Sequence, residues 1–68
     1  MLNRVKELRE KRELTQEQFA NLVGVSRQSI ISVEKGHYIP TTVLALRLAS
    51  VLKVKVEDLF SLEKSDWK

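Results

Sequence analysis

The sequence predicts an all-α domain organised around two short helices joined by a tight turn. Two observations carry this prediction. Apolar residues recur at helical spacing through most of the chain. Helix start and stop signals divide residues 16–35 into two helices. The chain has 68 residues, enough for one domain. A domain of this size buries only about 60% of its unfolded surface, which leaves little room for an enclosed active site.

The composition limits the classes of function. The chain has no cysteine, one histidine and no glycine-rich phosphate loop, so we expect no metal, no cofactor and no enzymatic activity. No apolar run approaches the ~18 residues of a membrane span, and the N-terminus lacks a signal-peptide pattern. We therefore expect a soluble, cytoplasmic protein. The formal net charge of +3 allows a polyanionic partner without identifying one.

The first predicted helix runs from about residue 3 to residue 12. Val5 and Leu8 face inward beside the aliphatic stem of Arg12. Arg9 flanks this apolar stripe, where a partly covered charge needs a partner. The candidate is Glu34, which flanks the buried stripe of a later helix. The alternative is that both side chains are solvated.

A capping box starts the second helix at Gln16. The Thr15 hydroxyl can accept from the Gln18 amide while the Gln18 side chain reaches back to Thr15. The apolar residues of this helix fall on one face: Phe19, Ala20 and Val23.

The link to the third helix is very short. Gly24 can take the left-handed conformation that ends a helix and Ser26 can cap the next one, so only Val25 lies between. Helices linked so closely cross steeply, and Ala20 supplies the small side chain that the crossing needs. In the third helix Ile30 and Val33 face inward. The outward residues are Gln28, Ile31, Ser32 and Lys35, with Arg27 and Ser29 on the shoulders.

The remaining chain predicts a loop and two more helices. Thr41 caps a fourth helix, whose inward residues are Leu44, Ala45, Leu48, Val51 and Leu52. A short fifth helix covers about residues 56–60. Residues 53–56 alternate as a strand would, but four residues without a pairing partner argue against one. The domain is expected to span residues 1–61, and the tail, residues 62–68, shows no periodicity.

Several segments resemble the Cro/CI-type (XRE family) helix-turn-helix transcriptional regulators: Leu8-Arg9-Glu10, Leu14-Thr15-Gln16, Ser26-Arg27-Gln28, and Glu34-Lys35-Gly36 with Pro40. The resemblance implies a five-helix, lambda-repressor-like DNA-binding domain in which helices two and three form the helix-turn-helix. It also implies a salt bridge between Arg9 and Glu34. The sequence departs from the pattern at three positions, where relatives often carry glycine or a small hydroxyl residue: Glu13, Lys53 and Lys55.

The third helix carries groups that can read bases in a major groove. Gln28 can pair with adenine and Arg27 with guanine or a phosphate, while Ser32 can donate or accept at short range. Ile31 is well placed to meet a thymine methyl group; the alternative is a tolerated surface residue. The resemblance implies that the base-reading residues are Arg27, Gln28, Ile31 and Ser32.

A second set of residues is expected to hold phosphates and fix the register. The resemblance implies that Gln16 binds a phosphate at the start of helix two, where the helix dipole favours an anion. The residues expected to flank the opposite strand are Lys35, His37, Tyr38 and the start of helix four around Thr41 and Thr42. The alternative for His37 and Tyr38 is a solvated loop with Tyr38 packed on the surface. The expected positioning residues are Gln16, Ser26, Ser29, Lys35, His37 and Thr41.

The expected partners are double-stranded DNA and a second copy of the chain. A single half-site is too short to be unique, and two-fold dimers place two recognition helices about 34 Å apart on the DNA. The residues expected at the dimer interface are Val43, Leu46, Phe60, Leu62 and Trp67. The expected function is a repressor that binds a palindromic operator. The alternative is an antitoxin-like protein-interaction module with the same fold.

Overall fold

The computed structural model describes residues 1–67, which contain five α-helices: α1 (Val5–Lys11), α2 (Gln16–Val23), α3 (Arg27–Glu34), α4 (Thr42–Leu52) and α5 (Val56–Leu59). Strands β1 (Leu2–Asn3) and β2 (Phe60–Ser61) pair antiparallel. This short pair does not change the class, so the prediction of an all-α fold is confirmed. None of the described helices is long and apolar enough to cross a membrane.

The core lies between α2, α3 and α4, with α1 and α5 packed on its sides. The faces predicted for helices two and three are the buried ones. Helix four differs in detail: Leu44, Ala45 and Val51 are half-buried, and Ala49, which was not predicted to face inward, is buried. The buried apolar residues are Val5, Phe19, Ala20, Val23, Ile30, Val33, Leu48, Ala49, Leu52 and Leu59.

The first helix is shorter than predicted because Asn3 lies in β1 instead of the helix. The Asn3 Oδ1 accepts a hydrogen bond from the Val5 N–H at 3.2 Å, which satisfies a free donor at the start of α1. Its Nδ2 donates to the Val33 carbonyl at 3.0 Å. Arg12 follows α1 and is exposed overall, and its Nε donates to the Leu52 carbonyl at 2.8 Å.

The predicted capping signals are present around α2. The Thr15 Oγ1 accepts from the Gln18 N–H at 3.0 Å, and the Thr15 N–H donates to the Gln18 Oε1 at 2.9 Å. Gly24 follows α2 with a φ of 88°. Glu13 has a φ of 58°, the left-handed value expected at a position where relatives carry glycine.

The tail is more ordered than its lack of periodicity predicts. Lys64–Trp67 form a 3₁₀ turn, and the Glu63 N–H donates to the Asp66 Oδ2 at 2.8 Å. The Met1 amino group contacts the Glu63 Oε1 at 2.8 Å. The Glu63 N–H and the Met1 amino group lower the pKa of the Asp66 carboxyl. The last residue of the predicted tail, Lys68, lies outside the described residues.

Candidate nucleic-acid interface

The first turn of α3 presents exposed polar side chains. Ile30 and Val33 are 0% and 1% exposed, which turns the opposite side of the helix outward. Arg27 and Gln28 are exposed on that side. Ile31, with Ser32 beside it, is half-buried, so both lie at the edge of the surface instead of at its centre.

Two predicted contact residues hold the start of α3. Ser26 is the N-cap, and its Oγ accepts from the Ser29 N–H at 3.1 Å. The two hydroxyl oxygens lie 3.0 Å apart and share a hydrogen bond. Because that bond uses one of the two hydroxyl protons, one O–H remains to donate to a ligand.

A recess of about 260 Å³ lies beside this turn. It brings together four of the predicted contact residues and Tyr38. Tyr38, which was expected either to flank the opposite DNA strand or to pack on the surface of a solvated loop, lines this recess. The lining residues are Ser26, Gln28, Ser29, Ser32 and Tyr38.

Gln16 lies at the N-terminus of α2, beside the first turn of α3. Its Nε2 donates to the Glu34 Oε1 at 3.1 Å, and its Oε1 accepts a long hydrogen bond of 3.5 Å from the Arg27 Nη2. The backbone N–H groups of the first turn of α2 have no partner within the helix and carry its positive dipole end. The side chain of Gln16 is therefore engaged with the protein, while this helix end can bind an anion.

A buried ion pair lies behind Gln16. The Arg9 Nε donates to the Glu34 Oε2 at 2.6 Å, and the Arg9 Nη2 donates to the Glu34 Oε1 at 3.3 Å. Their side chains are only 8% and 4% exposed. The Arg9 Nη1 donates to the Leu14 carbonyl at 2.7 Å, just before α2 begins. The pair thus joins α1 to α3 and holds the segment that precedes α2.

The other end of α3 carries the remaining predicted positioning residues. Lys35 is the C-cap of α3 and is exposed. His37 is exposed in the following loop, where its backbone N–H donates to the Ser32 carbonyl at 3.0 Å. Thr41 caps α4, and its Oγ1 accepts from the Leu44 N–H at 3.2 Å. Its hydroxyl proton remains free to donate.

Sequence reasoning missed the contact between Gln16 and Glu34, because no helical period relates residues 18 apart in sequence on different helices. It also missed Ile39, which is 64% exposed and lines an apolar groove with Leu46 and Phe60. Within residues 1–67, no group of three or more histidine, cysteine or acidic side chains could hold a metal ion.

Residues 5–59 match the model of the helix-turn-helix family HTH_3. The chain belongs to this family. The match covers α1 to α5, so the resemblance to Cro/CI-type regulators is confirmed.

Two relatives from distant organisms match this family member along almost its whole length. It is 42% identical over 66 residues to YgzD, an uncharacterized HTH-type transcriptional regulator of Bacillus subtilis (strain 168), in a match that covers 97% of this chain and 100% of that protein. It is 46% identical over 66 residues to MJ0272, an uncharacterized HTH-type transcriptional regulator of Methanocaldococcus jannaschii, with the same two coverages of 97% and 100%.

Two solved structures share the fold of this family member. The restriction-modification controller protein C.AhdI from Aeromonas hydrophila is 37% identical, with a TM-score of 0.79 over 84% of this chain and 86% of that chain. An HTH_3 family transcriptional regulator from Vibrio cholerae is 31% identical, with a TM-score of 0.73 over 81% of this chain and 31% of that chain.

Proposed function

We propose that this helix-turn-helix protein is a sequence-specific, double-stranded DNA-binding transcriptional repressor that binds a palindromic operator as a homodimer. The observation that carries the proposal is the exposed polar first turn of α3, where Arg27 and Gln28 stand beside the N-terminus of α2. A helix placed with its N-terminal residues in a major groove reads base edges through such groups.

Base reading is assigned to four residues of α3. Gln28 pairs with adenine, and Arg27 pairs with guanine, each through two hydrogen bonds. Ile31 and Ser32 lie at the edge of the recognition surface, which suits one contact to a thymine methyl group and one short hydrogen bond.

Phosphate binding on one strand is assigned to the N-terminus of α2 at Gln16 and to the Ser26–Ser29 hydroxyl pair. On the other strand it is assigned to Lys35, His37 and Thr41, at the opposite end of α3. These contacts set the register of the protein and carry no sequence information.

The dimer interface is assigned to an apolar groove of about 370 Å³ between α4, α5 and the loop before α4. Leu46, which is 56% exposed, lines this groove with Phe60, whereas Val43 on the same helix is 66% exposed and does not line it. Exposed apolar surface of this kind marks a protein interface in a soluble protein. Of the other two predicted interface residues, Leu62 is 56% and Trp67 75% exposed, and neither lines the groove.

The test is selection of bound sequences from a random pool of double-stranded DNA at moderate salt. We expect a two-fold symmetric motif with half-sites about 34 Å apart. Expression of a reporter that carries the selected site at its promoter then tests repression, and sedimentation at high concentration tests the dimer.

The Gln28→Ala variant is the matched control for this selection. It should lose the preference at one base pair in each half-site, at a cost of about 1–3 kcal/mol, and keep the rest of the motif. Uniform, salt-sensitive binding with no enriched motif in the unchanged protein would contradict the proposal and favour a protein-interaction module.

A further inference from the structure

A hydrogen-bonded chain of four side chains runs from the core to the proposed recognition surface. It begins at Arg9 and passes through Glu34 and Gln16 to Arg27, over donor–acceptor distances of 2.6, 3.1 and 3.5 Å. The first two members are buried and the last is exposed. Each link joins residues far apart in sequence, so the chain exists only in the folded protein.

The negative charge of Glu34 fixes which side chain donates and which accepts at each link of this hydrogen-bonded chain. An ionised carboxylate only accepts hydrogen bonds. Glu34 accepts three of them, from the Arg9 Nε, the Arg9 Nη2 and the Gln16 Nε2. The amide of Gln16 must therefore turn its NH₂ group toward Glu34. Its carbonyl oxygen then faces the other way, toward the guanidinium of Arg27, which only donates.

We infer that Glu34, which lies behind the recognition surface, is a positioning residue that presents Arg27 to DNA by fixing the orientation of the Gln16 amide. The effect on DNA reading rests on the proposed function, whereas the effect on the two side chains does not. Arg9 supports the arrangement because its guanidinium holds both oxygens of Glu34, and buried charges keep their geometry only when they are paired.

The Glu34→Gln variant exchanges donor and acceptor at the hydrogen bond between position 34 and Gln16. A glutamine offers one oxygen and one NH₂ group where the carboxylate offers two oxygens. Arg9 donates to both sites, but its Nε lies 2.6 Å from the Oε2 site and its Nη2 lies 3.3 Å from the Oε1 site. The oxygen of Gln at this position therefore takes the closer Oε2 site, where an NH₂ group would be most strongly repelled by the buried, charged donor. Its NH₂ group then faces Gln16, whose amide flips to accept. The NH₂ group of Gln16 then faces the guanidinium of Arg27. Because both groups only donate hydrogen bonds, the contact between Gln16 and Arg27 is lost.

The first measurement is made without DNA. Nitrogen-edited NMR of the full chain follows the side-chain amide of Gln16 and the Nε–H of Arg27. The control is Val54→Ala, which trims a half-buried residue packed on the core, outside the four-residue chain. We expect both signals to move in Glu34→Gln and to stay in place in Val54→Ala. Unchanged signals in Glu34→Gln would overturn the inference, whatever the DNA results are.

The second measurement reads base preference. Arg27→Ala first identifies the base pair that Arg27 contacts. Glu34→Gln should lower the preference at that base pair about tenfold, while Val54→Ala should leave the preference unchanged. The double variant Arg27→Ala with Glu34→Gln should lose no further preference there. A Glu34→Gln protein that binds every sequence more weakly but keeps the preference would show a structural role only, and the inference would be wrong.

A second variant covers the case in which Glu34→Gln does not fold. Gln16→Met keeps the length of the side chain and removes the amide, so it should reproduce the loss at the same base pair while the buried ion pair remains. If the unchanged protein shows no sequence preference but the NMR signals move as expected, the positioning role of Glu34 stands and the proposed repressor function falls.

Discussion

The turn between α2 and α3 and the turn between α4 and α5 have the same backbone shape and different chemistry. Each has three residues, Gly24–Val25–Ser26 and Lys53–Val54–Lys55. The first residue is left-handed in both, with φ values of 88° and 57°. The third is extended in both, with ψ values of 155° and 152°. The valine N–H of each turn donates at 3.0 Å to the carbonyl of an alanine in the preceding helix.

Local chemistry favours the first turn but not the second. Glycine takes a positive φ without a steric penalty, and serine is a strong N-cap. A lysine at positive φ is disfavoured, and no side-chain cap hydrogen bond is made by Lys55. The second turn gains one local contact, from the Lys55 N–H to the Asp58 Oδ2 at 3.2 Å. Packing must therefore supply most of what holds it, and Leu52 and Leu59 are each 1% exposed on either side.

The largest loss of stability should come from removing the packing around the second turn. Leu59→Ala should lower the free energy of unfolding by about 2–5 kcal/mol, because it leaves a cavity at the only fully buried residue of α5. Hydrogen exchange should show loss of protection in α5, and in the strand pair that β2 forms with β1, before loss in α2 and α3. Uniform loss along the chain would mean that the two turns depend equally on the shared core.

The next largest loss of stability should come from replacing Gly24, the glycine of the first turn. Gly24→Ala should cost about 1–2 kcal/mol in chemical denaturation, because an alanine at a φ of 88° is strained. The new Cβ would also lie 2.7 Å from the Arg47 Nη2, the mobile end of a long side chain. Gly36→Ala is the matched control, since Gly36 has a φ of 76° and open space at its Cβ position. A larger loss at Gly24 measures the cost of moving Arg47, and equal losses would assign the whole effect to the backbone.

The same contrast explains how much of the fold could be predicted from the sequence. The capping box at Thr15, the glycine stop and the Ser26 cap act between neighbouring residues, so the bounds of α2 and the start of α3 were predictable to the residue. Asn3 was assigned to a helix because its actual partners, the Val33 carbonyl and the strand at Phe60, are distant in sequence. The tail was missed for a similar reason, since the contact from Met1 to Glu63 joins the two ends of the described chain.

The candidate interface likewise has features that local sequence patterns predict and features that depend on how the helices pack. Helical periodicity placed Gln28 on the outward face of α3 and Arg27 on its shoulder, and both are exposed. The positions of Arg9 and Glu34 beside the apolar stripes, together with the resemblance to the family, predicted their ion pair. Periodicity could not show that Gln16 completes a chain from Glu34 to Arg27, because that depends on how α2 and α3 cross. It also placed Ile31 fully outward, whereas neighbouring packing leaves this residue half-buried.

The smallest effect should sharpen the comparison by giving the second turn the chemistry of the first. Lys53→Gly should raise the free energy of unfolding by about 0.5–1 kcal/mol, because relief of the left-handed strain exceeds the added freedom of the unfolded chain. Lys53→Ala is the matched control: it removes the same side chain but keeps the Cβ, so it should give no gain. If both variants had equal stability, the strain at Lys53 would be negligible, and packing around Leu59 alone would account for the shape of the turn.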